Sequence, residues 1–289
     1  MRRLCAPWIY AAVAATGLFW VAARAGAQAP APAPPITFEP WNNPGVSVAR
    51  GVPIPTGLAG PDGPAPRRDL TGIWDTARAG IGARGARGTP SPLTAWGEAK
   101  SRTHKSGDGV RMVPVTEIND PLSTLGDPGG YPRQLLFELR QVQFAHTPES
   151  VLALFMWERR WRVMWTDGRP LPTNPDPRWY AYSVARWEDD YTFVVTSNGT
   201  DERTWLDNAG NPHSEDLRVE ERWHLLSKNR LELTVTIDDP KAYTKPWVAT
   251  DKMLLVRIPP NTDLMEMMNS ATEAMAVAEH FKREAGLAK

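Results

Sequence analysis

Two groups of polar residues have the spacing that chemistry requires. The first lies in a loop between residues 205 and 215, where Asp207, His213, Ser214 and Glu215 fall within nine positions and Gly210 and Pro212 shape the turn. An Asp207 carboxylate can orient the His213 ring and leave its other nitrogen to move a proton near neutral pH. The alternative is a loop histidine hydrogen-bonded to backbone. Ser214 is not in a Gly-x-Ser-x-Gly turn, so triad chemistry is not expected. The second group centres on Glu221. Alternate side chains of a strand share a face, and Leu217, Val219, Glu221, Trp223 and Leu225 form one such set. A carboxylate on that face must be paired or protonated, because burying it alone costs several kcal/mol. It is either bridged to an arginine or raised in pKa and usable as an acid or base. Arg159, in step with Trp161, Val163 and Trp165, is the expected partner, and Glu138 poses the same question on an apolar run of its own. In a catalytic version of the site, Arg159 or Arg222 would steady developing negative charge.

Aromatic residues form the third feature. Eleven of the 13 tryptophans lie beyond residue 27, many on apolar runs or beside turns. Trp187 and Trp223, with Tyr182 as a hydrogen-bond donor, are expected to line a pocket in which indoles stack on a planar ligand. The five histidines show no HxH or HExxH spacing, so neither a metal site nor a cofactor is expected.

These residues need a scaffold, and the pattern points to strands. Apolar or alternating runs recur at 70–75, 135–142, 151–157, 159–165, 180–187, 191–197, 217–226, 230–238 and 252–258, with Asp167-Gly168-Arg169-Pro170 and Ser227-Lys228-Asn229 as turns. Nine such runs predict an all-β antiparallel meander, and closure into a barrel of eight or nine strands removes its exposed edges. A short helix is expected at 92–103, with Ser91 as its cap and Pro92 in its first turn. Thr262 can cap a C-terminal helix over 262–283, with Leu264, Met267, Met268, Ala271, Met275 and Ala278 on one packing face. Residues 69–289 then make a single barrel domain.

The N-terminus reads as an address. Arg2 and Arg3 precede an uncharged run from Leu4 to Ala23, and Ala25-Gly26-Ala27 supplies a small-x-small cleavage site, so 1–27 is expected to be a signal peptide for a periplasmic or secreted protein, the alternative being an uncleaved membrane anchor, for which a run of about 20 residues is just long enough. Cleavage removes the only cysteine, Cys5, and with it thiol catalysis and thiolate metal sites. It also leaves 30 basic residues against 33 acidic ones, a net charge of about −3, with no membrane span. No basic stripe or phosphate loop remains, so nucleic acid is not an expected partner. Residues 28–68 are rich in Pro, Ala and Gly and read as an extended leader, and Ala79 to Gly88 as a flexible loop.

Gly72-x-Trp74 on the first strand and Arg257 on the last, followed by a helix, resemble the lipocalin and wider calycin pattern. The resemblance implies that Trp74 closes one barrel end with Arg257 packed across its indole, a contact worth about 0.5–2 kcal/mol. The stretch of about 60 residues between the first two strands is longer than a standard lipocalin has. A closer resemblance spans 69–258. It rests on Asn119-Asp120-Pro121, Tyr131-Pro132-Arg133, Asp167-Gly168-Arg169, Trp205-Leu206-Asp207, Pro212-His213-Ser214, Glu221-Arg222 and Asp239-Pro240 through Trp247, which are similar to a large family of secreted bacterial proteins. That resemblance implies export and a barrel but no particular activity. The chain departs from the family pattern at Ala185-Arg186-Trp187-Glu188-Asp189-Asp190-Tyr191 and at Gly126. The expected function is binding of an apolar or aromatic small molecule in the barrel. The alternative is a lyase, isomerase or hydrolase in which His213 and Glu221 handle protons.

Overall fold

The computed structural model describes residues 60–76, 91–109, 111–137, 139–260, 262, 264, 267, 268 and 270–287. The expected signal peptide, most of the leader, the 79–88 loop and Glu138 lie outside the described residues. Nine strands form a closed barrel in sequence order: β1 (Gly72–Thr76), β2 (Gln141–His146), β3 (Ser150–Phe155), β4 (Trp161–Trp165), β5 (Tyr182–Trp187), β6 (Thr192–Asn198), β7 (Arg218–Ser227), β8 (Arg230–Asp238) and β9 (Trp247–Ile258). Short strands with inward apolar residues bury one face, and β9 pairs with β1 to close the sheet. Leu231, Leu233, Val235 and Ile237 of β8 show the period of two, each buried between half-buried or exposed neighbours.

One junction departs from the expected antiparallel meander. β4 and β5 run parallel and are joined at a single register pair, Trp165 with Val184. Parallel neighbours need a connection that returns the chain to its starting end. Residues 166–181 supply it, an irregular segment in which Pro170, Pro172, Pro175 and Pro177 fix φ and offer no backbone donor. The seam is thus thinly bonded, in contrast to the six-pair register between β5 and β6.

Four expected elements shift. The run at 135–142 splits into a one-turn helix, α3 (Arg133–Leu136), and β2, because a short apolar run buried on every side fits either conformation. It follows α1 (Ala95–Thr103) and α2 (Pro121–Thr124). Thr94, not Ser91, caps α1 by accepting from Gly97 N at 3.0 Å, so Pro92 precedes the helix. Gly97 must be glycine, since a Cβ there would stand 2.2 Å from the Ala242 carbonyl oxygen. The C-terminal helix, α4, covers Ala271–Glu284 and is capped by Ser270 in place of Thr262. The last strand begins at Trp247, earlier than expected, and bulges where Lys252 has φ 48° and Lys252 N donates to Thr234 Oγ1.

Candidate functional site

Glu221 lies fully buried on the inner face of β7 and accepts three hydrogen bonds. Tyr131 Oη and Arg162 Nη2 each donate to Oε1 at 2.8 Å, and Trp223 Nε1 donates to Oε2 at 2.9 Å. Arg162 comes from β4, and its Nη2 also reaches Ser183 Oγ at 2.9 Å and Ser197 Oγ at 3.2 Å; these two hydroxyls are 2.9 Å apart. The guanidinium lies 4.1 Å from the centre of the Tyr131 ring. Burial works against the charged guanidinium, but Glu221 and Tyr131 outweigh it and raise the Arg162 pKa. Burial, then the Glu221 charge, pushes the Tyr131 phenol well above its usual value, so it stays protonated and donates.

The partner of Glu221 is therefore Arg162 and not Arg159. Arg159 sits in the β3–β4 turn with φ 46°, exposed to solvent. On β4 it is Arg162 and Met164 that are buried, while Trp161, Val163 and Trp165 face outward. Arg222 also points out of the barrel, paired with Glu188 and, at 3.5 Å, with Glu220.

The loop from Trp205 to Glu215 does not form the expected dyad. Asp207 accepts from the backbone of Ala209 and Asn211 and from Asn211 Nδ2, which shapes its own turn. His213 is buried, with Nε2 at 2.8 Å from Thr204 Oγ1 and Nδ1 at 3.1 Å from the Ser214 carbonyl. Burial lowers its pKa, which keeps it neutral. Ser214 is held through both N and Oγ by Asp239, at 2.6 and 2.8 Å. The other motif residues act in the same manner. Arg133 makes a two-pronged bond to Asp120 at 2.9 and 2.6 Å and a third to Asn208 at 2.6 Å, and Tyr243 Oη donates to the Pro212 carbonyl at 2.7 Å. These strings fasten the connections to the barrel.

The aromatic residues divide between two faces. Trp187, Phe193 and Trp223 stand side by side across β5, β6 and β7, and Trp187 packs on Phe193 at 5.1 Å. Trp223 is buried in the core, so it packs the interior in place of lining an open pocket. Tyr182 alternates to the opposite face from Trp187 and lines a groove on the seam between β4 and β5. At the barrel end, Trp74 lies opposite Arg257 across β1 and β9, with the guanidinium 5.9 Å from the ring centre. Arg257 Nη2 donates to the Thr71 carbonyl at 2.7 Å, and Trp74 Nε1 to that of Leu70 at 2.8 Å.

The seam groove has a volume of about 480 Å³. Trp161, Trp165, Trp179, Tyr180 and Tyr182 wall it, Leu171 and Pro172 of the returning segment flank it, and Arg162 and Ser183 of the buried network border it. Trp161 is 66% exposed on its strand. Tyr180 is pinned by donating to Glu158, a buried carboxylate that also accepts from Gly129 N at 3.1 Å. Arg162, Ser183 and Glu158 were not singled out from the sequence, and Tyr131 entered only as part of the Tyr131-Pro132-Arg133 string; the alternation on β4 does contain Arg162 once its phase is read correctly. Among the described residues no His, Cys, Asp and Glu group has metal-holding geometry. No family model, no curated protein and no solved structure matches this chain.

Proposed function

We propose that this chain is an exported binding protein for a planar apolar or aromatic small molecule, held in the groove where β4 and β5 part. The observation that carries the reading is the outward stripe of Trp161, Val163 and Trp165 on β4, with Trp161 two-thirds exposed. Large apolar side chains gathered on a solvent-facing concavity lose hydration when a flat ligand covers them, and indoles add stacking. The thin β4–β5 bonding gives such a ligand an entry that the packed lumen does not. Export rests on Arg2, Arg3, the uncharged run that follows and Ala25-Gly26-Ala27. Among the described residues no helix is long and apolar enough to cross a membrane. The positions of Trp74 and Arg257 agree with the lipocalin-like resemblance. Nothing specific favours catalysis by His213 and Glu221, since both ring nitrogens and both carboxylate oxygens have protein partners.

Titration with a panel of planar aromatics tests the reading through tryptophan fluorescence. Saturable quenching is expected, and W161A/W165A should remove it with the far-UV circular dichroism unchanged. A flat response across the panel, or quenching that survives in the double variant, would refute it.

A further inference from the structure

Three arginines near the seam place their guanidinium carbons over aromatic rings: Arg169 over Trp165 at 3.7 Å, Arg203 over Trp179 at 4.4 Å and Arg178 over Tyr182 at 3.8 Å. Stacking uses the face of a guanidinium and leaves its edge, a rigid fork of N–H donors, to find an acceptor. Two of the three edges have one. Arg169 Nε and Nη2 reach Asp167 at 2.9 and 2.6 Å, and Arg203 Nε and Nη2 reach Asp201 at 3.1 and 2.6 Å. In both, the carboxylate is two residues upstream and is fixed by accepting the backbone N–H of the arginine itself, at 3.2 and 3.0 Å.

Arg178 has an aspartate at the same offset, Asp176, but the turn does not form. Arg178 N instead donates to the Gly199 carbonyl at 2.9 Å, and the Arg178 carbonyl accepts from Asp201 N at 3.0 Å. This bonding pins the Arg178 backbone to the segment after β6 and leaves nothing to draw Asp176 across. Among the described residues no carboxylate pairs with the Arg178 edge.

The charge balance of the groove points the same way. Its lining holds Arg162, Arg169 and Arg178 and no acidic side chain. Glu221 offsets the first and Asp167 the second, which leaves one positive charge at Arg178.

We propose that the groove is built for a planar aromatic carboxylate, with the ring on the Trp161–Trp165 stripe and the carboxylate on the edge of Arg178, supplying what Asp167 and Asp201 supply to the neighbouring arginines. This rests on the groove being the ligand site and adds the charge of the ligand to it. A bidentate guanidinium–carboxylate contact is directional and charge-assisted, so it separates an acid from its uncharged amide of equal shape.

Calorimetric titration of the chain with 2-naphthoate and with 2-naphthamide tests this. The acid is expected to bind at least tenfold more tightly, R178Q to erase the preference, and R169Q, whose edge Asp167 already fills, to preserve it. Equal affinity for acid and amide, or a preference that survives in R178Q, overturns the carboxylate assignment and leaves the groove reading standing. Binding of neither compound overturns both.

Discussion

Arg162 and Glu221 form a charged pair in a place where two leucines would fit the pattern of their neighbours. A buried pair of this kind contributes little net stability over apolar replacements, but breaking it leaves one uncompensated charge in the core. Arg162→Met alone should therefore cost about 3–5 kcal/mol, and R162M/E221L should recover much of that loss. Urea unfolding of the four members of the cycle measures it; additive losses would mean that the two groups do not act as a unit. His213 makes a second residue-scale prediction. Its folded pKa is lowered from 6.5 by burial, so the unfolded chain takes up that proton first as pH falls. Its contribution to stability is whole above 6.5 and declines below it, by up to about 1.4 kcal/mol per pH unit. His104 and His146, also lowered by burial, act in the same direction with more solvent screening, and Asp75, raised by burial, acts in the opposite one. His213→Gln should reduce the stability difference between pH 7.5 and 5.5, and an unchanged difference would remove His213 from the acid response.

At the scale of elements, β1 shows how a single residue type serves a strand pairing. Gly72 has φ 137°, and a Cβ there would stand 2.6 Å from Arg257 Nε, so the guanidinium can lie across the barrel end only over a bare backbone. Gly72→Ala is expected to lose about 1–3 kcal/mol from the strained φ, with the Arg257 clash in addition. In G72A/R257A the clash is absent and the strain remains, so the losses should be less than additive; thermal melts of the three variants check this. The alternation of β7 and β8 was legible because one face of each strand is apolar and the other polar. β4 was misread for the opposite reason. Its outward residues are Trp161, Val163 and Trp165, so the solvent face is the more apolar one and the inward face holds Arg162. A phase assigned by hydrophobicity alone turns that strand inside out. The inversion coincides with the groove, which Trp161, Val163 and Trp165 line from the outward face of the strand. Arg133–Leu136 was illegible on other grounds, since no alternation marks residues that are buried on every side. The Asp207–His213 dyad failed because proximity in a loop does not set side-chain direction, and each residue satisfies its own turn.

For the whole molecule, the barrel closes through β9 onto β1 before the C-terminal helix begins, so closure does not depend on α4. No residue of α4 is buried; only Ala274 and Ala278 are half-buried, while Met275, Val277 and Phe281 remain exposed. The helix meets α2 and the turn at Val115–Glu117, and at its first residue Gly126 allows Ala271 to approach; a Cβ there would lie 2.3 Å from Ala271 Cα. Two half-buried alanines correspond to only about 1 kcal/mol of apolar burial. Ending the chain at Asn269 should therefore change the unfolding free energy by no more than about that amount, with the near-UV circular dichroism of the core tryptophans preserved. The seam groove draws no lining residue from α4, so the affinity for 2-naphthoate should be the same in the truncated chain. Loss of the near-UV signal on truncation would mean that α4 completes the core, and loss of binding alone would mean that its exposed methionine and phenylalanine side chains belong to the ligand site.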